Sequence, residues 1–284
     1  MTPPHTPAPA IQFDDVSFRL NGRPLLENLT LSVYNGETLV LLGRSGSGKT
    51  TTLKLINALR LPTQGEVRVS GRPTTEWDPI RLRRGIGYVI QDGGLFPHFT
   101  VERNIALVPR IEGWSRDRIH ARVRELLSLV GLDASLASRH PGELSGGQRQ
   151  RVGVARALAA DPPILILDEA FGALDPITRS GMQKEFRALQ QKMQKAVVFV
   201  THDLREAMLL ADRIALMEEG RLIVDLTVEE FSKSQHPLVR AYIEAFSGST
   251  QAGSTDAVST NARSINNGSS EISASEAGHT RPPQ

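Results

Sequence analysis

The sequence contains no cysteine, and this absence excludes both a disulfide framework and thiolate chemistry. No stretch approaches the roughly 18 consecutive apolar residues of a membrane-spanning helix. An excess of one charge is also lacking: 33 basic residues stand against 31 acidic ones, and a net charge of +2 does not indicate a nucleic-acid partner. The first ten residues, MTPPHTPAPA, lack the basic and apolar regions of a secretory signal. We therefore expect a cytoplasmic protein that binds no nucleic acid.

Hydrophobic residues make up 39% of the 284 residues, which is enough to bury a sizeable core. Residues 1–10 are rich in proline and are predicted to be a disordered leader. Residues 11–246 are predicted to form one folded domain. Residues 247–284 contain almost no bulky apolar side chain, so they cannot bury enough surface to offset their chain entropy. This last segment is predicted to be a disordered tail.

Two β patterns and one helical pattern define the fold class. Residues 11–33 alternate apolar and polar residues around Asn21-Gly22, which is typical of an antiparallel hairpin. Near-continuous apolar runs at 37–42, 164–168, 196–202 and 213–217 alternate with helical segments and indicate a parallel sheet. Further short strands are predicted at 66–69 and 84–90. Residues 93–160 are predicted to be helical, with a buried face formed by Ile119, Val123, Leu126, Leu127 and Val130. The prediction is an α/β fold with a mixed, mostly parallel sheet, an antiparallel β layer and an inserted α-helical subdomain.

The segment GRSGSGKT, residues 43–50, matches the phosphate-binding pattern G-x-x-x-x-G-K-[ST] between a predicted strand and a predicted helix. Glycines let successive main-chain NH groups point at an anion, and the helix N-terminus faces the same site. Lysine supplies a charge for the β and γ phosphates, and the threonine hydroxyl is a ligand for Mg²⁺. The residues predicted to hold the nucleotide are Gly43, Arg44, Ser45, Gly46, Ser47, Gly48, Lys49, Thr50 and Thr51.

An acidic pair follows the strand ILIL. Asp168 stands at the strand end and is predicted to hold Mg²⁺ through water, next to Thr50. Glu169, one residue beyond, is predicted to accept a proton from a water aligned on the γ phosphate.

The segment LSGGQ, Leu144 to Gln148, precedes another predicted helix. Ser145, Gly146 and Gly147 would place a hydroxyl and exposed NH groups at a helix N-terminus, which makes a second anion site. The alternative is that they only cap the helix.

These motifs, in this order, resemble those of the ATP-binding subunits of ABC transporters, over Ile11 to Phe246. The resemblance implies a P-loop NTPase core, ATP and Mg²⁺ as cofactors, and two copies paired head to tail. In that pairing, residues 145–148 of one chain, including Gln148, close on the nucleotide held by the other chain. This pairing explains why one chain carries a second anion site in addition to its phosphate loop.

Three further roles follow from the same resemblance. Gln91 matches the loop glutamine between sheet and helical subdomain, and is expected to act in catalysis and to bind the metal with Thr50 and Asp168. Asp175, in Ala173-Leu174-Asp175, matches the loop after the acidic pair. His202 matches the histidine that holds the γ phosphate. Together with Glu169, Gln91 and His202 make up the expected catalytic set.

The chain departs from the family pattern at two positions. Ala170 stands where proline usually follows the catalytic glutamate. Leu20 stands where an aromatic residue usually stacks on adenine, so we expect a weakened adenine contact there. Phe18, two residues earlier, would share a face with Leu20 in a regular strand and is the alternative stacking residue.

The sequence of the segment IGYVIQDGGLFPHFTVERNIALVP is similar to that of importer ATPases for glycine betaine, carnitine and choline. The implied partners are integral-membrane permeases and, indirectly, an extracytoplasmic substrate-binding protein, with the ATPase at the cytoplasmic face of the cell membrane. An importer of another solute, such as an amino acid or a polyamine, and an exporter or lipoprotein-release system are the alternatives. The apolar residues Phe96 to Phe99 are either a docking patch for a permease or ordinary loop packing.

Overall fold

A computed structural model describes residues 8–90, 94–172 and 174–252, with side chains as far as residue 246. The chain divides into two compact units, Met1–Glu244 and Ala245–Gln284. Several expectations fall outside the described residues: most of the leader, Gln91, Ala173 and the tail beyond residue 252.

The described residues form ten strands and ten α-helices, with two short 3-10 helices at Ala134–Ser138 and Pro141–Glu143. The strands are β1 (Ile11–Leu20), β2 (Arg23–Val33), β3 (Thr38–Leu42), β4 (Gln64–Val69), β5 (Arg72–Pro73), β6 (Ile86–Val89), β7 (Ile164–Asp168), β8 (Ala196–Thr201), β9 (Arg213–Glu218) and β10 (Arg221–Thr227). The helices are α1 (Lys49–Ile56), α2 (Pro79–Arg84), α3 (Val101–Ile105), α4 (Leu107–Ile111), α5 (Arg116–Leu129), α6 (Gly146–Leu158), α7 (Pro176–Met193), α8 (Leu204–Leu210), α9 (Val228–Lys233) and α10 (Pro237–Ala252).

The smaller sheet is antiparallel and has the strand order β2-β1-β4-β5. The predicted hairpin is confirmed: β1 pairs with β2, and Asn21 and Gly22 adopt φ angles of 50° and 80° in the turn. Both values lie in the left-handed region that a two-residue hairpin turn requires, which asparagine and glycine tolerate best.

The larger sheet has the order β10-β9-β3-β8-β7-β6. Its pairs are parallel except that β10 runs antiparallel to β9 at one edge. Strands β3 and β8 are buried throughout, which accounts for their continuous apolar sequences. The α/β class and the mixed sheet are therefore as predicted, and β10 is an addition that the sequence pattern did not indicate.

The two sheets share one core with α1. Phe13 and Leu31 from the smaller sheet, Leu41 and Val198 from the larger sheet, and Leu53 from α1 belong to the same cluster of buried residues. This packing places the carboxyl ends of β3, β7 and β8 at one edge of the larger sheet, because all three strands are parallel. Ligands of open α/β sheets bind at such an edge.

The region predicted to be helical contains α3 to α6, and the five residues of its predicted stripe are all buried. Two element boundaries differ from expectation. The run 84–90 begins with the end of α2, so β6 is shorter than predicted. Helix α10 continues to Ala252, so residues 247–252 are helical although the tail was expected to be disordered from residue 247. Once α10 has formed on the more apolar residues before 247, it extends easily, because each added residue gains one hydrogen bond for the one residue that is fixed. Within the described part of the chain, the helices lack the combined length and hydropathy that crossing a membrane requires.

Candidate active site

The phosphate loop connects β3 to α1 and has the shape of an anion cradle. Gly46 and Gly48 have φ angles of 84° and 101°, which L side chains rarely adopt. A side chain at Gly43 would overlap the main-chain oxygen of Met217 and approach Ser47 Oγ to 2.7 Å. Ser47 Oγ itself is buried without a hydrogen-bond partner among the described residues. An unsatisfied buried hydroxyl in a glycine loop fits a site whose remaining partner is an anionic ligand.

Lys49 is buried at the start of α1. Its Nζ donates hydrogen bonds to the main-chain oxygens of Gly43, at 2.7 Å, and Arg44, at 2.8 Å. Burial lowers the pKa of Lys49, and the nearby carboxylates of Glu169 and Asp168 oppose that shift. The lysine therefore has a fixed position between the phosphate loop and the acidic pair.

Asp168 ends β7 and faces the phosphate loop. Thr50 Oγ1 donates to its Oδ1 at 3.3 Å, and Tyr88 Oη donates to its Oδ2 at 3.3 Å. Burial raises the pKa of Asp168, and the hydrogen bonds from Thr50 and Tyr88 lower it. Burial also raises the pKa of the Tyr88 phenol. Sequence reasoning predicted that Thr50 and Asp168 both serve Mg²⁺, but it did not predict their direct hydrogen bond, and it missed Tyr88, a β6 residue without a motif of its own.

These oxygens suit Mg²⁺. No group of three or more His, Asp or Glu side chains able to hold a metal exists within residues 8–90, 94–172 and 174–252. Mg²⁺ does not need one, because it prefers oxygen ligands and usually combines one or two protein groups with water and substrate phosphates. Thr50 and Asp168, on either side of the cradle, fit that mode of binding.

Glu169 lies just beyond Asp168 in a strained conformation, with a φ angle of 47°. Its main-chain NH donates to Val200 O at 3.1 Å, which continues the pairing of β7 with β8. Its Oε1 is 3.5 Å from Nδ1 of His202, the residue directly after β8. Strain of this kind in a non-glycine residue is concentrated at functional sites. The structure thus brings the predicted base and the predicted histidine together.

The LSGGQ segment caps α6. Ser145 Oγ accepts from the NH of Gln148 at 3.2 Å, and Gln148 Oε1 accepts from the NH of Ser145 at 2.9 Å. Gly147 packs so closely on the start of α7 that a side chain there would lie 2.8 Å from Thr178 Cγ2. In the part of the chain that the structure describes, no hydrogen bond or ion pair joins residues 145–148 to the phosphate loop. Residues 145–148 therefore form a helix cap in the local structure, and their role as a second anion site stays a prediction.

Asp175 caps α7, accepting from the NH groups of Ile177 at 3.1 Å and Thr178 at 3.0 Å. Hydrogen bonding by Thr178 holds the pKa of Asp175 below its usual value. Ile177 beside it is 86% exposed, an unusual environment for a large aliphatic side chain. This corner of the molecule is therefore apolar, solvent-facing and close to Gly147.

Leu20 and Phe18 differ in burial. Phe18 is buried in the core, whereas Leu20, the last residue of β1, is exposed. The pairing of β1 with β2 shifts register between Phe18 and Arg19, but the extra residue lies in β2, because Phe18 pairs with Leu26 and Arg19 with Pro24. The expectation that Leu20 or Phe18 stacks on adenine stays a prediction. Burial raises the pKa of Tyr242 on α10, a residue that sequence reasoning also missed, and Arg44 of the phosphate loop opposes that shift.

The aromatic loop, defined as Phe96–Phe99, is exposed and yet held in place. Phe96 and Phe99 have ring centroids 5.4 Å apart. The fully buried side chain of Asn104 accepts from Phe96 N at 2.8 Å and donates to the oxygens of Phe96, Phe99 and Thr100 at 3.1 to 3.2 Å. Phe96 borders a groove of about 340 Å³ that Arg84, Ile90, Val108 and Arg156 also line. The groove lies between the edge of the larger sheet and the helical region.

A glycine cradle after parallel strand β3, a buried lysine and an acidic pair at the end of β7, which lies beyond β8 in the same sheet, define a P-loop nucleotide-binding protein. Residues 26–172 match the family model described as ABC transporter. The chain belongs to this family, as its motifs indicated.

Individual relatives agree with this assignment. The chain is 46% identical over 227 residues to the glycine betaine/carnitine/choline transport ATP-binding protein OpuCA of Bacillus subtilis, covering 80% of this chain and 59% of that protein. It is 47% identical over 213 residues to the glycine betaine uptake system ATP-binding protein YehX of Escherichia coli, covering 75% and 69%. The chain thus spans about three fifths of the length of OpuCA.

A solved structure has the same fold. The ATP-binding cassette MJ0796, in a dimeric post-hydrolysis state bound to ADP and Pi, superimposes with a TM-score of 0.69 at 32% identity. The match covers 77% of this chain and 98% of MJ0796.

Proposed function

We propose that this chain is the ATP-hydrolysing subunit of a membrane importer for quaternary ammonium osmoprotectants of the glycine betaine, carnitine and choline class. The observation that carries the proposal is the pair Glu169 and His202, 3.5 Å apart, at the sheet edge that also holds Lys49. A carboxylate and an imidazole beside a phosphate cradle supply a base for the attacking water and a hydrogen-bond donor for the γ phosphate. The names of the relatives OpuCA and YehX support the solute class.

The phosphate loop holds the triphosphate in this proposal. Main-chain NH groups of residues 43–51 bind the phosphate oxygens, and Lys49 exchanges its contacts with Gly43 and Arg44 for the β and γ phosphates. Leu20 covers the adenine face with an aliphatic side chain, which contributes less than an aromatic ring.

Thr50 and Asp168, with Gln91, are the proposed ligands of Mg²⁺, Asp168 through water. When bound, the ion offsets the negative charge of the phosphate oxygens. Tyr88 holds the second oxygen of Asp168, so that Oδ1 stays directed toward Thr50.

Hydrolysis is assigned to three residues. Glu169 accepts the proton of the attacking water, and its position one residue beyond Asp168 directs its carboxylate to the γ-phosphate side of the cradle. His202 holds the γ phosphate, and Gln91 completes the catalytic set.

A second copy of the chain completes the site. Ser145, Gly146, Gly147 and Gln148 form an anion site that does not reach the phosphate loop of their own chain, and the relative MJ0796 is a dimer bound to ADP and Pi. Head-to-tail pairing would also bring Asp175 and the exposed Ile177 against the second copy. Covering that side chain removes apolar surface from water.

The groove beside the aromatic loop is the proposed docking site for a permease. Asn104 fixes the loop, so Phe96 is presented to a partner helix without a large loss of conformational entropy. Ile80 lies one helical turn before the groove residue Arg84 on α2, and its large apolar side chain is exposed. Such docking would hold the chain at the cytoplasmic face of the cell membrane, with an extracytoplasmic substrate-binding protein delivering the solute to the permeases.

The docking proposal predicts that Phe96→Asp abolishes solute transport and leaves ATP binding and the melting temperature near wild type. Leu209→Asp is the matched control. Leu209 on α8 is 39% exposed, close to the 41% of Phe96, but of these two residues Phe96 is the one that borders the groove. Normal assembly and transport in Phe96→Asp would rule the groove out.

The whole function is tested by co-expression with the permeases and the binding protein encoded beside its gene, followed by reconstitution into vesicles. ATP-driven uptake of glycine betaine, carnitine or choline is expected, and it should be absent in Glu169→Gln. Uptake only of an amino acid or a polyamine would correct the solute class. ATP-driven release of a solute or a lipoprotein would replace import by export.

A further inference from the structure

Glu206 is a buried carboxylate outside the residues assigned to hydrolysis. It lies in the first turn of α8 and is 4% exposed. Its Oε1 accepts a hydrogen bond from Nε2 of Gln183 on α7 at 2.9 Å, and its Oε2 accepts a short hydrogen bond from Oγ1 of Thr201 at the end of β8. Burial raises the pKa of Glu206, and both hydrogen bonds oppose the shift. Burying a carboxyl group costs free energy of folding that an apolar side chain of similar size would not cost. Glu206 at this position therefore calls for a specific role.

The network continues into the turn that carries His202. Thr201 Oγ1 donates to Glu206 and accepts from the main-chain NH of Asp203 at 3.0 Å. Asp203 Oδ1 in turn accepts from Arg205 N at 2.7 Å. The hydroxyl of Thr201, directly before His202, is therefore hydrogen-bonded to the main chain of Asp203, directly after it.

Among the described residues, the side chain of His202 makes no hydrogen bond that would fix its direction. It is 61% exposed, and its ion-pair contact is the 3.5 Å approach of Nδ1 to Glu169 Oε1. Packing cannot select the direction of an exposed imidazole, so its direction depends on the main chain that bears it. That main chain is fixed by Thr201, which is 1% exposed and is itself oriented by Glu206.

We propose that Glu206 and Thr201 are positioning residues that orient His202 toward Glu169 and the γ phosphate. The inference rests on the proposed role of His202 in hydrolysis. The hydroxyl of Thr201 has one proton, so Glu206 as an acceptor fixes which way that proton points and leaves a lone pair for Asp203 N. Glutamine at position 206 has one acceptor oxygen for two donors, Thr201 Oγ1 and Gln183 Nε2, so its NH₂ would face one of them and weaken the arrangement.

The central test compares Thr201→Val with Thr201→Ser. Valine keeps the shape of threonine and removes the hydroxyl, whereas serine keeps the hydroxyl and removes a methyl group. Thr201→Val is expected to lower kcat for ATP hydrolysis roughly tenfold with KM for ATP changed less than about twofold, the size expected for one hydrogen bond. Thr201→Ser should recover most of that loss even if its melting temperature is lower. Equal kcat values in the two variants would overturn the proposal.

A double-variant comparison separates positioning from general stability. If Thr201 acts through His202, then Thr201→Val combined with His202→Ala should have the same kcat as His202→Ala alone. A further tenfold loss in the double variant would show that Thr201 acts by another route and would overturn the inference. Full activity of His202→Ala would instead remove the assigned role of His202, a failure of the proposed function that is recognised from that single variant.

Glu206→Gln provides the same comparison if Thr201→Val does not fold. It is expected to lower kcat without raising KM, and to add nothing to His202→Ala. Wild-type kcat in a folded Glu206→Gln would likewise contradict the proposal.

Discussion

Replacing Glu169 by glutamine removes the carboxylate that we propose as the proton acceptor and preserves the volume of the side chain. The main chain at this position keeps its φ of 47°, because neither side chain is branched at Cβ. The contact with His202 loses its charge, but it is a 3.5 Å approach to an imidazole that is 61% exposed, so it contributes little to folding. We expect the free energy of unfolding to change by less than about 0.5 kcal/mol.

The effect on hydrolysis should be far larger. Loss of a general base typically lowers the rate by about 10² to 10⁴, which is about 2.7 to 5.4 kcal/mol of barrier at 1.36 kcal/mol per factor of ten. ATP binding depends on the phosphate loop and Lys49, which the substitution leaves in place. The variant should therefore bind ATP normally and accumulate as an ATP-bound dimer.

The assay measures single-turnover hydrolysis, ATP affinity and molar mass in solution for the same preparation. Glu125→Gln is the control, because Glu125 is a surface residue paired with Arg122 on α5, where removal of the carboxylate should leave hydrolysis unchanged. Hydrolysis at the wild-type rate in Glu169→Gln would refute the assignment of the base. Loss of ATP affinity together with hydrolysis would show that Glu169 supports the binding site instead.

The remaining predictions concern the second copy and the nucleotide contacts. Ser145→Arg should prevent ATP-dependent dimerisation, measured by light scattering, with ATP affinity of the monomer near wild type; a monomer whose specific hydrolysis rate is independent of its own concentration would contradict this. Gly43→Ala should lower ATP affinity at least roughly tenfold, because the new methyl group meets the main-chain oxygen of Met217, which cannot rotate away; unchanged affinity would show that the loop tolerates the methyl group. Leu20→Tyr should tighten ATP binding by about twofold to tenfold through aromatic stacking, and no change would mean that Leu20 is not at the adenine. Phe18→Ala should instead lower stability by about 3 to 5 kcal/mol in chemical unfolding, as a buried phenylalanine does, and a selective loss of ATP affinity would restore Phe18 as the stacking residue.

Local sequence was sufficient where the signal lies within a few residues. The hairpin at Asn21-Gly22 follows from turn chemistry, and the strand that ends at Asp168 follows from four apolar residues before a carboxylate. The phosphate loop was recognisable because glycine, lysine and threonine must stand at fixed spacing to surround a phosphate. The acidic pair and the family followed from motif order, and the family match agrees.

Long-range packing decided the rest, because it joins residues whose separation in the chain carries no periodic signal. The hydrogen bond from Thr50 to Asp168 spans 118 positions, and only the pairing of parallel strands brings the two together. Packing also distinguished Phe18, which is buried in the core, from Leu20, which is exposed two residues later at the end of β1. The contact of Glu206 with Thr201 spans only five positions, yet it depends on how α8 turns back onto the end of β8. Sequence by itself thus determined which chemical groups the chain carries and in which local elements, whereas the tertiary structure alone decided which of those groups meet, since burial and direction are set by packing between distant segments.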